Sequence, residues 1–364
     1  MRNTFGNALT ITLFGESHGS AIGAVLDGLA PGIEIDDAFI KNRLFQRKPK
    51  AGTGTARRES DDYRFQSGVY NGKTTGTPLC ITIENAQQHS SDYETLRYTP
   101  RPGHADFAAE SKYHGFQDVR GGGHFSGRLT AAIVAAGALV EAALRQHGIY
   151  IYTHIARMGA ITDDALCEQN RHVLDTAEFP TISRTAETAM KEYIAAAGKE
   201  GDSVGGVLES EIVGLPAGIG EPWFDSLEGV LSHVLFSIGG VKGVEFGEGF
   251  AIADMRGSEA NDPYYYKDGR VLTATNHNGG IGGGITNGMP VRFRCAVKPT
   301  PSIYKKQKTV DLSIGADTEL TISGRHDPAI VHRAAPVVNA CAAIAVADLL
   351  TVRYGTDFLK TGLR

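Results

Sequence analysis

Cysteine is sparse in this chain and never paired in sequence: Cys80, Cys167, Cys295 and Cys341 stand far apart, with no Cys-x-x-Cys spacing. That argues against a zinc ribbon or a disulfide framework and for a reducing compartment. Positive charge is not in surplus. With 36 lysines and arginines against 41 acidic residues the net charge is -5, which speaks against a general nucleic-acid binder but leaves room for a local basic pocket. A basic-then-apolar start is missing, and the two most apolar stretches, 129–144 and 337–350, fall short of the about 20 residues a bilayer span needs. A cytoplasmic protein is therefore expected. The 12 histidines are scattered and supply no metal-ligand spacing, so no metal is expected. No linker rich in proline or serine divides the chain, so we expect one domain over residues 1–364.

Glycine is what the chain has in plenty, 45 residues in 364 against an average near ~7%. The glycines gather in loops with no collagen or linker period, marking tight turns and close ligand approach. The densest informative stretch reads Arg101-Pro102-Gly103-His104-Ala105-Asp106, then Arg120-Gly121-Gly122-Gly123-His124-Phe125-Ser126-Gly127-Arg128. An apolar run, 129–144, follows. Ser126 is a suitable N-cap, and three glycines leave consecutive N–H groups exposed above a helix N-terminus, which favours an anion. A capped core helix beside a glycine turn with surface arginines is the plainer alternative.

Periodicity assigns the rest. Residues 9–14, 24–26, 79–83, 149–155, 207–213 and 291–297 alternate as strands, with Glu209 and Glu211 on a wet face. Asp36 caps a helix to about 45, and 184–197 forms a polar helix with Glu187 and Lys191 paired. Asp225 with Glu228 has capping-box spacing, and Pro336 opens a second buried helix, 337 to about 353. Residues 46–64 read as a basic mobile loop. Strands come in meanders more than in alternation with helices, so the fold class is α+β, a β-α-β sandwich of antiparallel sheets around buried Ala-rich helices.

Chemistry concentrates at a few turns. Gly15-Glu16-Ser17-His18-Gly19 ends a strand; its serine stands one place too early for a nucleophile elbow, leaving His18 as a candidate general acid. His104 follows a rigid Arg-Pro-Gly turn. Arginines that bind and histidines that move protons suit a substrate carrying phosphate and carboxylates. The run 276–285, followed by Lys298-Pro299-Thr300, resembles a backbone nest for phosphate or for a flat ring. Asp327, in Ser323-Gly324-Arg325-His326-Asp327-Pro328, is either an N-cap or a catalytic carboxylate.

Taken in order, Gly15-Glu16-Ser17-His18-Gly19, Arg101 to Asp106, Arg120-Gly121-Gly122-Gly123, Asn276-His277 with Gly279-Gly280, Lys298-Pro299-Thr300 and Gly324-Arg325-His326-Asp327-Pro328 resemble the chorismate synthase family over nearly the whole chain. The resemblance implies conversion of 5-enolpyruvylshikimate 3-phosphate to chorismate and phosphate in the shikimate pathway of aromatic amino acid biosynthesis. It implies an anti 1,4-elimination that requires reduced FMN without net redox change, in a homotetramer. NADPH enters as an external reductant. By the same resemblance His18 protonates the leaving phosphate, His104 stabilises the reduced flavin, and Asp327 relays a proton from flavin N5 so that N5 takes the substrate's C6 proton. Ser17, Arg47, Arg128 and Arg333 fall on substrate positions. Arg47 (again, through NADPH), His124, Phe125, Ser126, Gly239, Gly240, Gly283, Lys298, Pro299, Thr300, Pro301, Ser302 and Arg325 fall on cofactor positions.

The chain departs from the commoner pattern of that family in its pocket. His124-Phe125-Ser126-Gly127-Arg128-Leu129 stands where the pattern has Arg-Ser-Ser-Ala-Arg-Glu, Gly239-Gly240 replaces Asn-Ala, and Pro301 replaces a serine. These changes keep open a second reading, an FMN-binding or flavin-reducing protein without lyase activity. A third, an RNA-binding module using the basic loop, predicts salt-sensitive binding and no flavin affinity.

Overall fold

The computed structural model describes residues 2–49, 61–85, 97–322 and 326–361. Two five-stranded sheets form its frame. In the first, β1 (Thr4–Phe5), β2 (Thr10–Gly15), β3 (Ala21–Asp27), β7 (Leu79–Glu84) and β4 (Tyr63–Ser67) run in the order β1-β2-β3-β7-β4. Between β4 and β7 lies a small hairpin, β5 (Val69–Tyr70) with β6 (Lys73–Thr74). In the second, β8 (Tyr150–Met158), β9 (Ile161–Thr162), β10 (Gly206–Val213), β11 (Val241–Phe246) and β16 (Val291–Val297) run β11-β16-β10-β8-β9. Three hairpins complete the strands: β12 (Tyr264–Lys267) with β13 (Arg270–Thr273), β14 (Ile281–Gly282) with β15 (Ile285–Thr286), and β17 (Gln307–Asp311) with β18 (Ala316–Leu320). Each of these pairings is antiparallel. Alternation in sequence becomes a dry and a wetter face, as in β16, where Val291, Phe293, Cys295 and Val297 are buried.

The helices are α1 (Asp37–Arg47), α2 (Asp106–Tyr113), α3 (Thr130–Gln146), α4 (Arg184–Lys199), α5 (Leu227–Phe236), α6 (Gly257–Ala260), α7 (Val331–Tyr354) and α8 (Phe358–Thr361). α3 packs along α7; α3 also lies on β3 and β7, and α7 on β8 and β10, so two helix layers separate the sheets. Each large aliphatic residue buried in that seam contributes ~1.5–3 kcal/mol. The helices meet backbone to backbone: a methyl on Gly137 would lie 2.4 Å from Ala340 Cβ and 2.6 Å from its Cα.

Several local expectations change. α7 starts at Val331, so Pro336 sits inside the helix instead of opening it; lacking an N–H, it leaves the His332 carbonyl without its usual donor four residues on. α7 and Gly127–Gln146 are long and apolar enough to cross a bilayer by length and composition, more than the apolar stretches suggested. Their most apolar windows are nonetheless 94% and 89% buried inside the protein, as core helices of a sandwich are. α5 is capped by Ser226, whose hydroxyl accepts from Gly229 N at 3.0 Å, and not by Asp225. Arg64 belongs to strand β4 and not to a loop, while 50–60 lies outside the described residues. Glu211 does not face water. It is buried against Arg171 at 2.7 Å and Arg292 at 3.0 Å, because the segment carrying Arg171 covers that face of β10.

Candidate active site

Gly121, Gly122 and Gly123 all adopt the left-handed conformation, with φ of 59°, 85° and 52°. Their use here is clearance. A methyl on Gly121 would come 2.1 Å from His18 Cε1, and one on Gly122 would come 3.4 Å from His104 Cε1. Two histidines from distant turns are thus seated on successive residues of one loop. Ser17 N donates to Gly123 O at 3.1 Å, fastening the turn after β2 to that loop.

Both rings have partners that hold them in place. The Ser17 hydroxyl lies 3.2 Å from the Arg120 and Gly121 carbonyls and 3.1 Å from His18 Nδ1. With the hydroxyl proton on a carbonyl, His18 Nδ1 is the donor to Ser17 and Nε2 is the nitrogen left for a ligand. His104 Nδ1 lies 2.5 Å from Asp106 Oδ1 and 3.0 Å from Arg101 Nη2, so a carboxylate and a guanidinium fix the ring's place. Burial pushes the Asp106 carboxyl up, but Arg101 and His104 outweigh it and hold it well below the usual range. Arg101 grips the same carboxylate at 2.7 and 2.8 Å.

The expected substrate arginines gather in one cluster tied to the His18 turn. Arg47, at the end of α1, and Arg128, in the turn before α3, both donate to Asp61. Arg333 on α7 donates through Nε to the Arg47 carbonyl at 3.0 Å and pairs with Asp327. Arg128 Nε donates to Asn85 Oδ1 at 3.1 Å, and Asn85 Nδ2 donates to the Glu16 and Gly19 carbonyls, each at 3.0 Å. One polar chain therefore runs from the His18 turn through Asn85, Arg128, Asp61, Arg47 and Arg333 to Asp327. Burial lowers the Arg47 pKa, aided by Arg333 and Arg128 and opposed by Asp61. For Asp61, burial acts upward, yet Arg47 and Arg128 prevail and its pKa is lowered.

The expected cofactor residues lie mostly on the other side of His104. Lys298 Nζ reaches the Gly103 carbonyl, a methyl on Gly103 would touch Pro301 Cβ at 3.5 Å, and Arg101 Nη1 lies 3.4 Å from Ser302 Oγ. Gly240 joins them, its carbonyl accepting from Lys298 N at 2.9 Å, and Gly239 precedes it with open space around its Cα. Pro299 and Thr300 complete that strand exit; Thr300 Oγ1 is buried with no hydrogen-bond partner among the described residues. His124 Nδ1 lies 2.8 Å from the Gly15 carbonyl, Phe125 is half-exposed against Tyr113, and Ser126 caps Arg128 N at 3.3 Å.

Two cofactor positions fall elsewhere. Gly283 is in the β14–β15 turn, whose neighbour Gly284 packs against Glu221 and Ser226. Arg325 lies outside the described residues. The nest expected over 276–285 already holds an internal anion at its start: Asp262 accepts from His277 N at 2.8 Å and from Asn278 N at 3.0 Å. Against its own burial, hydrogen bonds from Thr275 and Asn278 draw that carboxyl down to about 2.

Asp61 and Asn85 were not among the residues anticipated. Asp61 follows a run of arginines and reads as a solvated loop acid, and Asn85 carries no motif; only the fold brings them to Arg128.

Residues 9–351 match the family model described as chorismate synthase. The chain is 45% identical over 353 residues to a chorismate synthase of Thermococcus kodakarensis, covering 96% of this chain and 97% of that one. It is 42% identical over 353 residues to one of Parabacteroides distasonis, covering 96% and 98%. A crystal structure of chorismate synthase superposes with a TM-score of 0.76 at 27% identity, covering 98% of this chain and 95% of the other.

Proposed function

The chain belongs to the chorismate synthase family, carbon–oxygen lyases that convert 5-enolpyruvylshikimate 3-phosphate to chorismate and phosphate by anti 1,4-elimination, and from that premise we propose which of its residues serve the reaction. The observation that carries the assignment is the single loop on which His18 and His104 both rest, with the His18 turn joined through Asn85 to a cluster of three arginines. His18 protonates the leaving phosphate oxygen from Nε2, its other nitrogen being committed to Ser17. Arg47, Arg128 and Arg333 hold the substrate's phosphate and carboxylates, and Ser17 fixes the acid. Such a buried cationic wall favours charge building on the departing group more strongly than water does. Asp327, kept beside Arg333, is the proton-accepting end.

We propose reduced FMN as the cofactor. Residues 298–302 with Gly239, Gly240 and 124–126 fit a flat polar ring: Thr300 Oγ1 is a buried hydroxyl awaiting a partner, and glycine at 239 leaves room above the main chain. When bound, the reduced ring supplies an electron-rich surface that lends charge to the substrate and recovers it. His104, held by Asp106, supports the reduced state through a ring proton. The single domain over 1–364, a homotetramer, a cytoplasmic location and NADPH as external reductant are further proposals. The seam of α3 and α7 joining both sheets supports the first, and exposed Trp223, Phe224 and Phe250 support self-association.

The test supplies chemically reduced FMN and the enolpyruvyl phosphate without oxygen, following chorismate absorbance and phosphate release. Product without flavin, or none at any flavin concentration, overturns the cofactor reading. Flavin binding with NADPH oxidation and no chorismate would favour the non-lyase alternative.

A further inference from the structure

Asp61 is shared between two arginines in a way that a mere filler of buried charge need not be. Its Oδ2 accepts from Arg47 Nη2 at 2.8 Å and its Oδ1 from Arg128 Nη1. The carboxylate side chain is 2% exposed and each guanidinium side chain 5%. Each arginine has a further anchor, Arg47 Nη1 to Thr130 Oγ1 at 3.3 Å and Arg128 Nη2 to the Glu84 carbonyl at 3.2 Å. Among the described residues, Asp61 is a group that touches both. Arg47 Nε, buried in the same cluster, has no hydrogen-bond partner among the described residues. Charge-assisted bonds of this kind fix the plane of a guanidinium as well as its place.

The structure assigns Asp61 the role of a positioning residue for anion recognition. One carboxylate sets the spacing and the planes of the two guanidinium groups that meet the substrate's anionic groups. This rests on the reading that Arg47 and Arg128 bind the substrate. A misplacement of about 1 Å in a positioning group costs on the order of a hundredfold in rate, so fixing two binding groups through one oxygen pair bears directly on turnover.

The contrast is Glu141. It is as buried and as charged, bonding Arg43 Nε at 3.1 Å and Arg145 at 3.3 Å, but none of its partners belongs to the site. Glu141→Gln therefore reports the cost of disrupting a buried ion pair between α1 and α3 without touching anion recognition.

The test compares Asp61→Asn, Asp61→Glu and Glu141→Gln in the full-length protein. Three readouts are taken: steady-state kinetics, equilibrium binding of inorganic phosphate, and the guanidinium ¹⁵N–¹H signals of arginine. Asp61→Asn should lower kcat/KM at least about tenfold. Inorganic phosphate should bind more weakly although a negative charge has left the site, and binding as tight as in the unaltered protein overturns the proposal. The slowly exchanging signals of Arg47 and Arg128 should broaden, and Asp61→Glu should recover part of the loss. Native kcat/KM in Asp61→Asn overturns the proposal, as does an equal activity loss in Glu141→Gln at a matching fall in melting temperature. If Asp61→Asn does not fold, unchanged kinetics and unchanged guanidinium signals in Asp61→Glu overturn it. Should Arg47→Gln and Arg128→Gln leave the substrate KM unchanged, the substrate reading fails, whereas the guanidinium signals still decide whether Asp61 pins the two side chains.

Discussion

Asn85 accepts a hydrogen bond from Arg128 at 3.1 Å while its amide nitrogen holds two carbonyls of the turn that carries His18. One side chain thereby couples a proposed anion-binding arginine to the proposed proton donor. Asn85→Leu removes these three hydrogen bonds, each contributing ~0.5–1.5 kcal/mol. We expect kcat/KM for chorismate formation to fall by about ten- to a hundredfold, with kcat affected as well as KM. A change in KM alone would show that the link to His18 carries nothing.

Gly121→Ala tests the seat of His18. The added methyl would overlap the imidazole and lie 2.8 Å from Ser17 Oγ, at a φ of +59°. The ring must leave its place, and turnover should drop by about a hundredfold or more, the scale of losing an acid–base group. Gly127→Ala, which meets nothing within 4 Å, is the control, and comparable losses in both would remove clearance as the reason for glycine at 121.

His104→Ala and Asp327→Asn should each lose at least about a hundredfold in turnover with reduced FMN supplied. Rates near that of the native enzyme in both would strip them of the roles proposed here.

His154 provides a pH dependence away from the site. It is buried with Asp163 at 2.8 Å and Glu209 at 3.1 Å. Burial alone would lower its pKa, but the two carboxylates raise it above 6.5. A folded pKa above the unfolded one means stabilisation that is complete below about pH 6.5 and lost as pH rises through the folded value. Melting temperature should fall on the alkaline side of neutrality, and His154→Asn should flatten that slope while lowering stability near pH 6.

The layers and the turns that meet at the candidate site were legible in sequence because both rest on local signals. Alternation in 291–297 and the apolar run at 129–144 encode which face is dry, and Asp36 caps its helix as expected, while Ser126 caps the short turn 127–129 that leads into α3 and not α3 itself. Glu211 was misread because alternation cannot tell water from a covering segment that brings Arg171 across 40 positions. Pro336 was misread because α7 is stabilised by packing on both sides, which tolerates one missing hydrogen bond. Asp61 and Asn85 escaped notice for the same reason: their meaning lies in Arg128, 67 and 43 residues further along the chain.

The contact of Gly137 with Ala340 reaches further than the core it belongs to. Arg128 stands just ahead of one of these helices and Arg333 in the first turn of the other, so the spacing of the proposed substrate arginines is gauged by how closely two helix backbones touch. Residues that never see substrate act as the calliper. Widening that crossing by a single methyl, as in Gly137→Ala, would spread the arginines at its far end and slow the reaction from a site no ligand can reach.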